Sequence, residues 1–245
     1  MRGTSALAVA AVAGTFALSG CASSPRDTGG RAGKVTPEKA VATLLGGVPQ
    51  RASALGDPAA PVTLQWFGDL QCPYCKEFAL GALPPIIGRW VRTGRLRIVY
   101  RSLRTATRPL RVFHAQQIAA LAAGEQGRLW NFIETFYAEQ RAEGTNYVTE
   151  RYLQGIASQI PGLSLSEWMS DRAGRQLAGE LVADREAARS ARLDGTPAFL
   201  IGRTGARRVF ELAHVSLTSP STLNAAIERL LGLNRSPALP PSAAV

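Results

Sequence analysis

Apolar residues dominate Val62-Thr63-Leu64-Gln65-Trp66-Phe67, the pattern of a strand covered on both faces. Leu96-Arg97-Ile98-Val99-Tyr100 reads as the next strand. Between them the pattern predicts a helix from about Tyr74 to about Leu80, interrupted near Gly81 to Pro85, resumed from Ile86 to Val91 and ended by Gly94. From about Pro109 to Arg192 the spacing changes to three and four residues. Leu110, Phe113, Gln117, Ile118 and Leu121 predict one helix, ended at Gly124. Trp130, Ile133, Phe136 and Tyr137 predict a second, and Tyr152, Leu153, Ile156 and Ile160 a third that stops at Pro161-Gly162. A short helix starts at Ser166 with Trp168 and Met169, and a long one from about Ala173 to Leu193 buries Leu177 and Leu181. The aromatics read as the core of this bundle. Beyond it, a strand ending at Ile201 and another from Arg208 to Leu212 flank a turn at Thr204-Gly205, and the final helix runs from about Ser221 to Leu231. Near the start, Thr36-Pro37-Glu38 supplies an N-cap, a first-turn proline and an acidic first turn. The short helix it opens runs to Leu45, stops at Gly46-Gly47 and turns Val41, Leu44 and Leu45 toward the domain edge.

Composition adds two things. With 245 residues, 46% hydrophobic and 19% charged, the chain is long enough for one well-cored domain with an elaboration. The net charge of +10 is carried mainly by arginine. Arg89, Arg92, Arg95, Arg97, Arg101, Arg104, Arg108 and Arg111 are scattered, with no basic block and no interleaved aromatics, so no nucleic-acid surface is predicted. Affinity for an anionic envelope surface is the milder functional reading. The first residues, Met1-Arg2 and an apolar run to Leu18, have the length of a signal-peptide core and are too short to span a bilayer. Leu18-Ser19-Gly20-Cys21 resembles the bacterial lipobox. The expectation is a lipoprotein signal peptide over residues 1–20, lipidation of Cys21 and a membrane anchor outside the cytoplasm. A flexible tether with the short helix is expected over residues 21–53, and a disordered Pro/Ala/Ser tail over 234–245.

The chemistry centres on cysteine. The chain has three, Cys21 and the pair in Cys72-Pro73-Tyr74-Cys75, which leaves none for a structural disulfide. At the exit of a strand and the entrance of a helix, two thiols two residues apart form a redox centre. One helical turn brings the sulfurs within bonding distance, and the helix N-terminus lowers the pKa of the first. Pro73 suits the first turn because its missing N–H would be unpaired there. Zinc needs about four ligands and the pair supplies two; two thiolates suffice for Cu(I). Asp69 reads as a turn residue close enough to influence Cys72, and Glu77 as an acid favoured early in a helix. His114 shares a predicted face with Leu110, Ile118 and Leu121 and reads as structural; His214 carries no signal.

Three blocks together resemble the DsbA-type thioredoxin-fold proteins. They are Leu55-Gly56-Asp57-Pro58 on to Phe67-Gly68-Asp69-Leu70-Gln71-Cys72-Pro73-Tyr74-Cys75-Lys76-Glu77-Phe78; residues 126–140; and Gly195-Thr196-Pro197-Ala198-Phe199-Leu200-Ile201-Gly202. The resemblance implies an α/β, thioredoxin-like fold with a central mixed β-sheet and an inserted all-helical subdomain. It places the domain at 54–233 and the insertion at about 107–193. It implies Cys72 as nucleophile and Cys75 as resolving thiol, with Thr196, Pro197 (in a cis bond), Pro73 and Tyr74 facing the substrate. A cis bond there would leave the backbone before Pro197 free to pair with an extended peptide. No cofactor and no metal are implied. The implied partners are exported cysteine-containing proteins and a membrane quinone-linked reoxidant of the DsbB or VKOR type. The stretch from Ala22 to Ala54 is too short for an added dimerisation domain, which favours a monomeric oxidase. The competing readings are a reductase or isomerase of the same fold, a cytosolic glutaredoxin, a Cu(I) carrier and a non-catalytic binding lipoprotein.

Overall fold

The computed structural model describes residues 36–233. The expected signal peptide, Cys21 and the C-terminal tail lie outside the described residues. In chain order the elements are α1 (Pro37–Leu45), β1 (Gln50–Arg51), β2 (Ala54–Leu55), β3 (Val62–Gly68), α2 (Pro73–Leu80) and α3 (Leu83–Ile86), which runs on into a π-helical turn at Ile87–Val91. Then come β4 (Leu96–Ser102), α4 (Leu110–Glu125), α5 (Leu129–Ala138), α6 (Glu150–Ser158), α7 (Leu165–Asp171), α8 (Arg175–Ser190), β5 (Ala198–Arg203), β6 (Phe210–Glu211) and α9 (Ser221–Leu231). Among the described residues no helix is long and apolar enough to cross a membrane.

α1 starts as its residues dictate. The Thr36 hydroxyl accepts the Lys39 amide at 3.4 Å, Pro37 sits in the first turn, and Val41 and Leu45 are buried. Its free C-terminal carbonyls are capped from outside: Arg92 donates to Thr43, Leu44 and Gly46 at 2.7 to 3.1 Å, a cation where the helix dipole favours one. The hydrophobic pattern predicts neither β1 nor β2, because two residues cannot display a period of two. Residues 50–55 nonetheless pair into the sheet, so the stretch assigned to a tether up to residue 53 contributes a helix and a strand to the domain.

The strands of the described residues form one mixed sheet in the order β1-β2-β4-β3-β5-β6. β3 is its centre. It pairs parallel with β4, placing Trp66 beside Tyr100, and antiparallel with β5, placing Trp66 beside Phe199. Parallel neighbours need a crossover, which α2 and α3 supply. On one face Trp66 meets Phe78, Tyr100, Tyr137 and Trp130 with ring centroids 4.9 to 6.0 Å apart. On the other, Phe67 packs with Ala188, Leu193 and Leu200. The expectation of a strand covered on both faces holds at the Phe67 end of that second face. Thr63 and Gln65 on it are half-buried and pair instead with Arg97 and Arg101, and Arg101 reaches Asp184 of α8 at 2.8 Å.

Two helical expectations need correction. The break after Leu80 is narrower than Gly81 to Pro85, since Pro84 and Pro85 lie in α3 and cost nothing in a first turn whose N–H groups are unpaired. The break itself is required at Gly81. A Cβ there would lie 2.6 Å from the Leu217 carbonyl oxygen and 2.7 Å from that of Glu77, while the next amide, Ala82, bonds Leu217. In α4, His114 and Leu110 are exposed, not part of a buried stripe. The buried face runs through Phe113, Gln116, Gln117, Ala120 and Leu121, and two of these are glutamines because they reach polar groups near the motif.

Candidate active site

The residues Cys72-Pro73-Tyr74-Cys75 open α2 where β3 ends. Cys72 is the N-cap, with φ −72° and ψ 121°, and its carbonyl accepts the Lys76 amide at 3.2 Å. No side chain caps this helix, so its first amides face the sulfur of Cys72. Cys72 keeps 4% of its surface exposed and Cys75 none; both are free thiols. The Cys72 thiol donates to the Thr196 carbonyl at 3.3 Å. Its pKa is held down to about 6, chiefly by the hydrogen bond from the Cys75 thiol; burial opposes this, and the Thr196 hydroxyl and the amides of Cys75 and Tyr74 add to it. Cys75 is pushed up, first by burial and then by the neighbouring Cys72. The two thiols are therefore unequal before any substrate arrives.

The structure brings Thr196 and Pro197 to this pair, half-buried, and the Thr196–Pro197 peptide is cis. Pro73 is in the first turn of α2, and the Tyr74 side chain stands in solvent, 61% exposed. His214 lies with Thr196 and Pro197 around a concavity of about 390 Å³; His114 is on the α4 surface. A larger cavity, about 740 Å³, opens beside Gln71 with Ala106, Pro109, Val112, Val148 and Leu153 in its walls. Among the described residues no group of three or more His, Cys, Asp or Glu side chains is arranged to hold a metal ion.

Asp69 does more than the turn its position predicts. It does form the turn, since its carbonyl accepts the Cys72 amide at 2.9 Å and the Tyr137 hydroxyl at 3.4 Å. Its carboxylate, however, is fully buried and is a hub. Oδ1 accepts from the Gln71 amide, the Thr107 hydroxyl and Gln116 Nε2; Oδ2 accepts from the Thr105 amide at 3.0 Å and the Thr107 amide at 2.8 Å. Among the described residues no cation pairs with it, so hydrogen bonds alone offset its burial. Gln140, also unforeseen, donates from Nε2 to the carbonyls of Leu70 at 2.8 Å and Cys72 at 3.0 Å, and its own carbonyl accepts from Lys76 Nζ at 3.0 Å. The glycine before Asp69 has a packing reason: a Cβ on Gly68 would lie 2.8 Å from the Tyr100 ring.

A family model described as Thioredoxin matches residues 50–218. Among curated proteins, a probable disulfide bond formation protein D of Bacillus anthracis is 21% identical over 149 residues, which cover 60% of this chain and 68% of that protein. Among solved structures, oxidised BdbD from Bacillus subtilis superposes with a TM-score of 0.62 at 18% identity, over 76% of this chain and 97% of that one. The alpha-DsbA1 of Wolbachia pipientis superposes with a TM-score of 0.61 at 19% identity, over 74% and 91%. The two superposed structures share the overall thioredoxin-like fold of this chain. With most of its length matched by one family model and its motif at the entrance of α2, the chain belongs to the thioredoxin family, with the DsbA-type form of that fold.

Proposed function

We propose that the chain is an extracytoplasmic thiol:disulfide oxidoreductase that introduces disulfides into exported, cysteine-containing proteins through the Cys72–Cys75 pair. The observation that carries this reading is the inequality of the two thiols, Cys72 held down to about 6 and Cys75 pushed up by burial. Stabilising the Cys72 thiolate stabilises the reduced protein, which makes the disulfide a better oxidant. The name of the Bacillus anthracis relative supports the same direction.

In the oxidised protein a client thiolate attacks Cys72 Sγ and forms a mixed disulfide, while Cys75 leaves with the electron pair and takes up a proton. A second client thiolate then attacks the client's sulfur and Cys72 leaves as thiolate, an easy departure for a group of low pKa. Two electrons have moved from the client dithiol to the pair. Thr196 and Pro197 form the wall against which the client's extended backbone lies, with Pro73 and Tyr74 on the opposite lip. A membrane quinone-linked oxidase of the DsbB or VKOR type takes the electrons away. Lipidation of Cys21 holds the domain, as a monomer, at the membrane where both partners pass.

The test is oxidation of reduced RNase and reduction of insulin by residues 22–245, with the Cys72–Cys75 potential measured against glutathione. Oxidation is expected to be the faster reaction, absent in Cys72→Ser, with Cys75→Ser accumulating the mixed disulfide. A potential at or below about −270 mV, that of cytosolic thioredoxin, would overturn the oxidase assignment. Wild type and Cys72→Ser alike in showing no exchange would remove the enzyme reading altogether.

A further inference from the structure

The wall facing Cys72 is not self-supporting. Thr196 comes from the loop before β5, which pairs with β3 only from Ala198 onward. What touches the Thr196 side chain is Thr105, whose hydroxyl bonds the Thr196 hydroxyl. Thr105 in turn lies in the loop after β4, and that loop is pinned by Asp69: Oδ2 takes the amides of both Thr105 and Thr107, and Oδ1 takes the Thr107 hydroxyl. Through its carbonyl the same Asp69 also holds the turn that ends in Cys72. One buried residue thus fixes both sides of the cleft.

Either hydroxyl of the Thr105–Thr196 pair could be the donor. A threonine hydroxyl has one proton to give. For the Thr196 hydroxyl to donate to the Cys72 sulfur, it must accept from Thr105 rather than donate to it. The structure shows the Thr105 N–H donating to Asp69 Oδ2 and the Thr105 hydroxyl bonded to Thr196 Oγ1; with Thr105 as donor, the Thr196 O–H is left to turn toward the Cys72 thiolate. The Cys72 thiol, when protonated, turns to the Thr196 carbonyl. Gln116 closes the back of the hub by donating to both Asp69 Oδ1 and Thr107 Oγ1.

We propose that Asp69 and Thr105 form a positioning relay that orients the Thr196 hydroxyl toward Cys72 and so sets the reactivity of that thiol. The relay rests on the reading of Cys72 as the reacting sulfur, but it is measured on the reduced protein without any client. Two variants break it at different links. Asp69→Asn turns an amide N–H₂ toward backbone donors and releases the loop. Thr105→Val keeps the shape and the amide bond to Asp69 and removes only the hydroxyl, at an exposed position where folding is not at stake.

The test is the pH dependence of Cys72 alkylation by iodoacetamide, together with the thiol–disulfide equilibrium against glutathione. Both variants are expected to lower the acidity of Cys72 by about fivefold, the equilibrium worth of one hydrogen bond, which lowers the alkylation rate at pH 6 by about threefold and makes the pair correspondingly less oxidising. In a Thr196→Val background neither substitution is expected to add anything, since the last link is already gone; a merely structural role would still show there. Thr105→Val with a wild-type alkylation profile overturns the relay whether or not Asp69→Asn folds. Additive effects in the Thr196→Val background also overturn it. Failure of wild type to oxidise any client leaves these measurements standing and defeats the functional reading instead.

Discussion

At the scale of single residues, burial makes the sharpest demands on the acids. Asp69 meets them with five hydrogen bonds. Glu134 does not. It sits inside α5, almost fully buried, with Oε1 unpartnered, and burial pushes its pKa up to about 8. Its folded pKa therefore lies above the unfolded one. The protonated form is the one the fold accepts, so this group costs nothing below about pH 4.5 and progressively more as pH rises toward 8. At pH 7 the linkage amounts to about 3 kcal/mol. Glu134→Gln, which keeps shape and stays neutral, is expected to stabilise the protein by about that much at pH 7 and not at all at pH 4. Urea unfolding at the two pH values checks it, and an equal effect at both would show that the carboxyl is not ionisation-limited. From the sequence, Glu134 looks like an ordinary polar position beside Ile133, because helical spacing records faces and not which flank of a face a neighbouring element covers.

At the scale of elements, boundaries followed from local chemistry wherever a cap or a proline set them. Thr36-Pro37 opens α1, Pro73 stands in the first turn of α2, and Pro220 sits at the N-cap of α9. They did not follow where a distant segment decides. Gly81 separates α2 from α3 because the Leu217 carbonyl occupies the space a side chain would need. Gly81→Ala is expected to destabilise the fold by about 2 kcal/mol despite the better helix propensity of alanine. Gly88→Ala, where an added Cβ meets nothing within 4 Å beyond its own stretch of helix, is expected to be neutral or stabilising by up to about 1 kcal/mol. Chemical denaturation midpoints compare them, and a stable Gly81→Ala would mean the loop at Leu217 yields freely. The short strands β1 and β2 belong to the same class. Nothing in Gln50-Arg51 or Ala54-Leu55 marks a strand; Ala54-Leu55 pairs on the edge of β4, and Gln50-Arg51 pairs in turn on Ala54-Leu55.

For the whole molecule, the redox pair and the fold are thermodynamically linked. In the reduced protein Cys72 titrates near 6 against an ordinary value near 9, so its folded pKa lies below the unfolded one. That linkage stabilises the reduced fold fully above about pH 9, gives about 1 kcal/mol at pH 7, and is lost as pH falls through 6. The melting temperature of the reduced protein is therefore expected to gain on that of the oxidised protein between pH 6 and 9. Calorimetry of the two forms across that range checks it, and a pH-independent difference would mean the thiolate is not what stabilises the reduced state. By itself the sequence determined the strands β3 and β4, the run of helices after them, the strand-to-helix seat of Cys72 and Cys75, and the cap residues that open α1; how the strands join into one mixed sheet came only as what the family resemblance implies. These rest on local propensity, on periodicity and on a motif of fixed spacing, all of which act over a few residues. Only the tertiary structure decided that Asp69 is a hub, that Thr105 stands behind Thr196, that Gln140 braces the Cys72 carbonyl and that Glu134 is buried unpaired. Each of these depends on segments from 36 to 91 residues apart, or on a neighbour's position in space, meeting in a low-dielectric interior. There a polar group's worth is set by its partners, and partners distant in sequence leave no periodic trace in it.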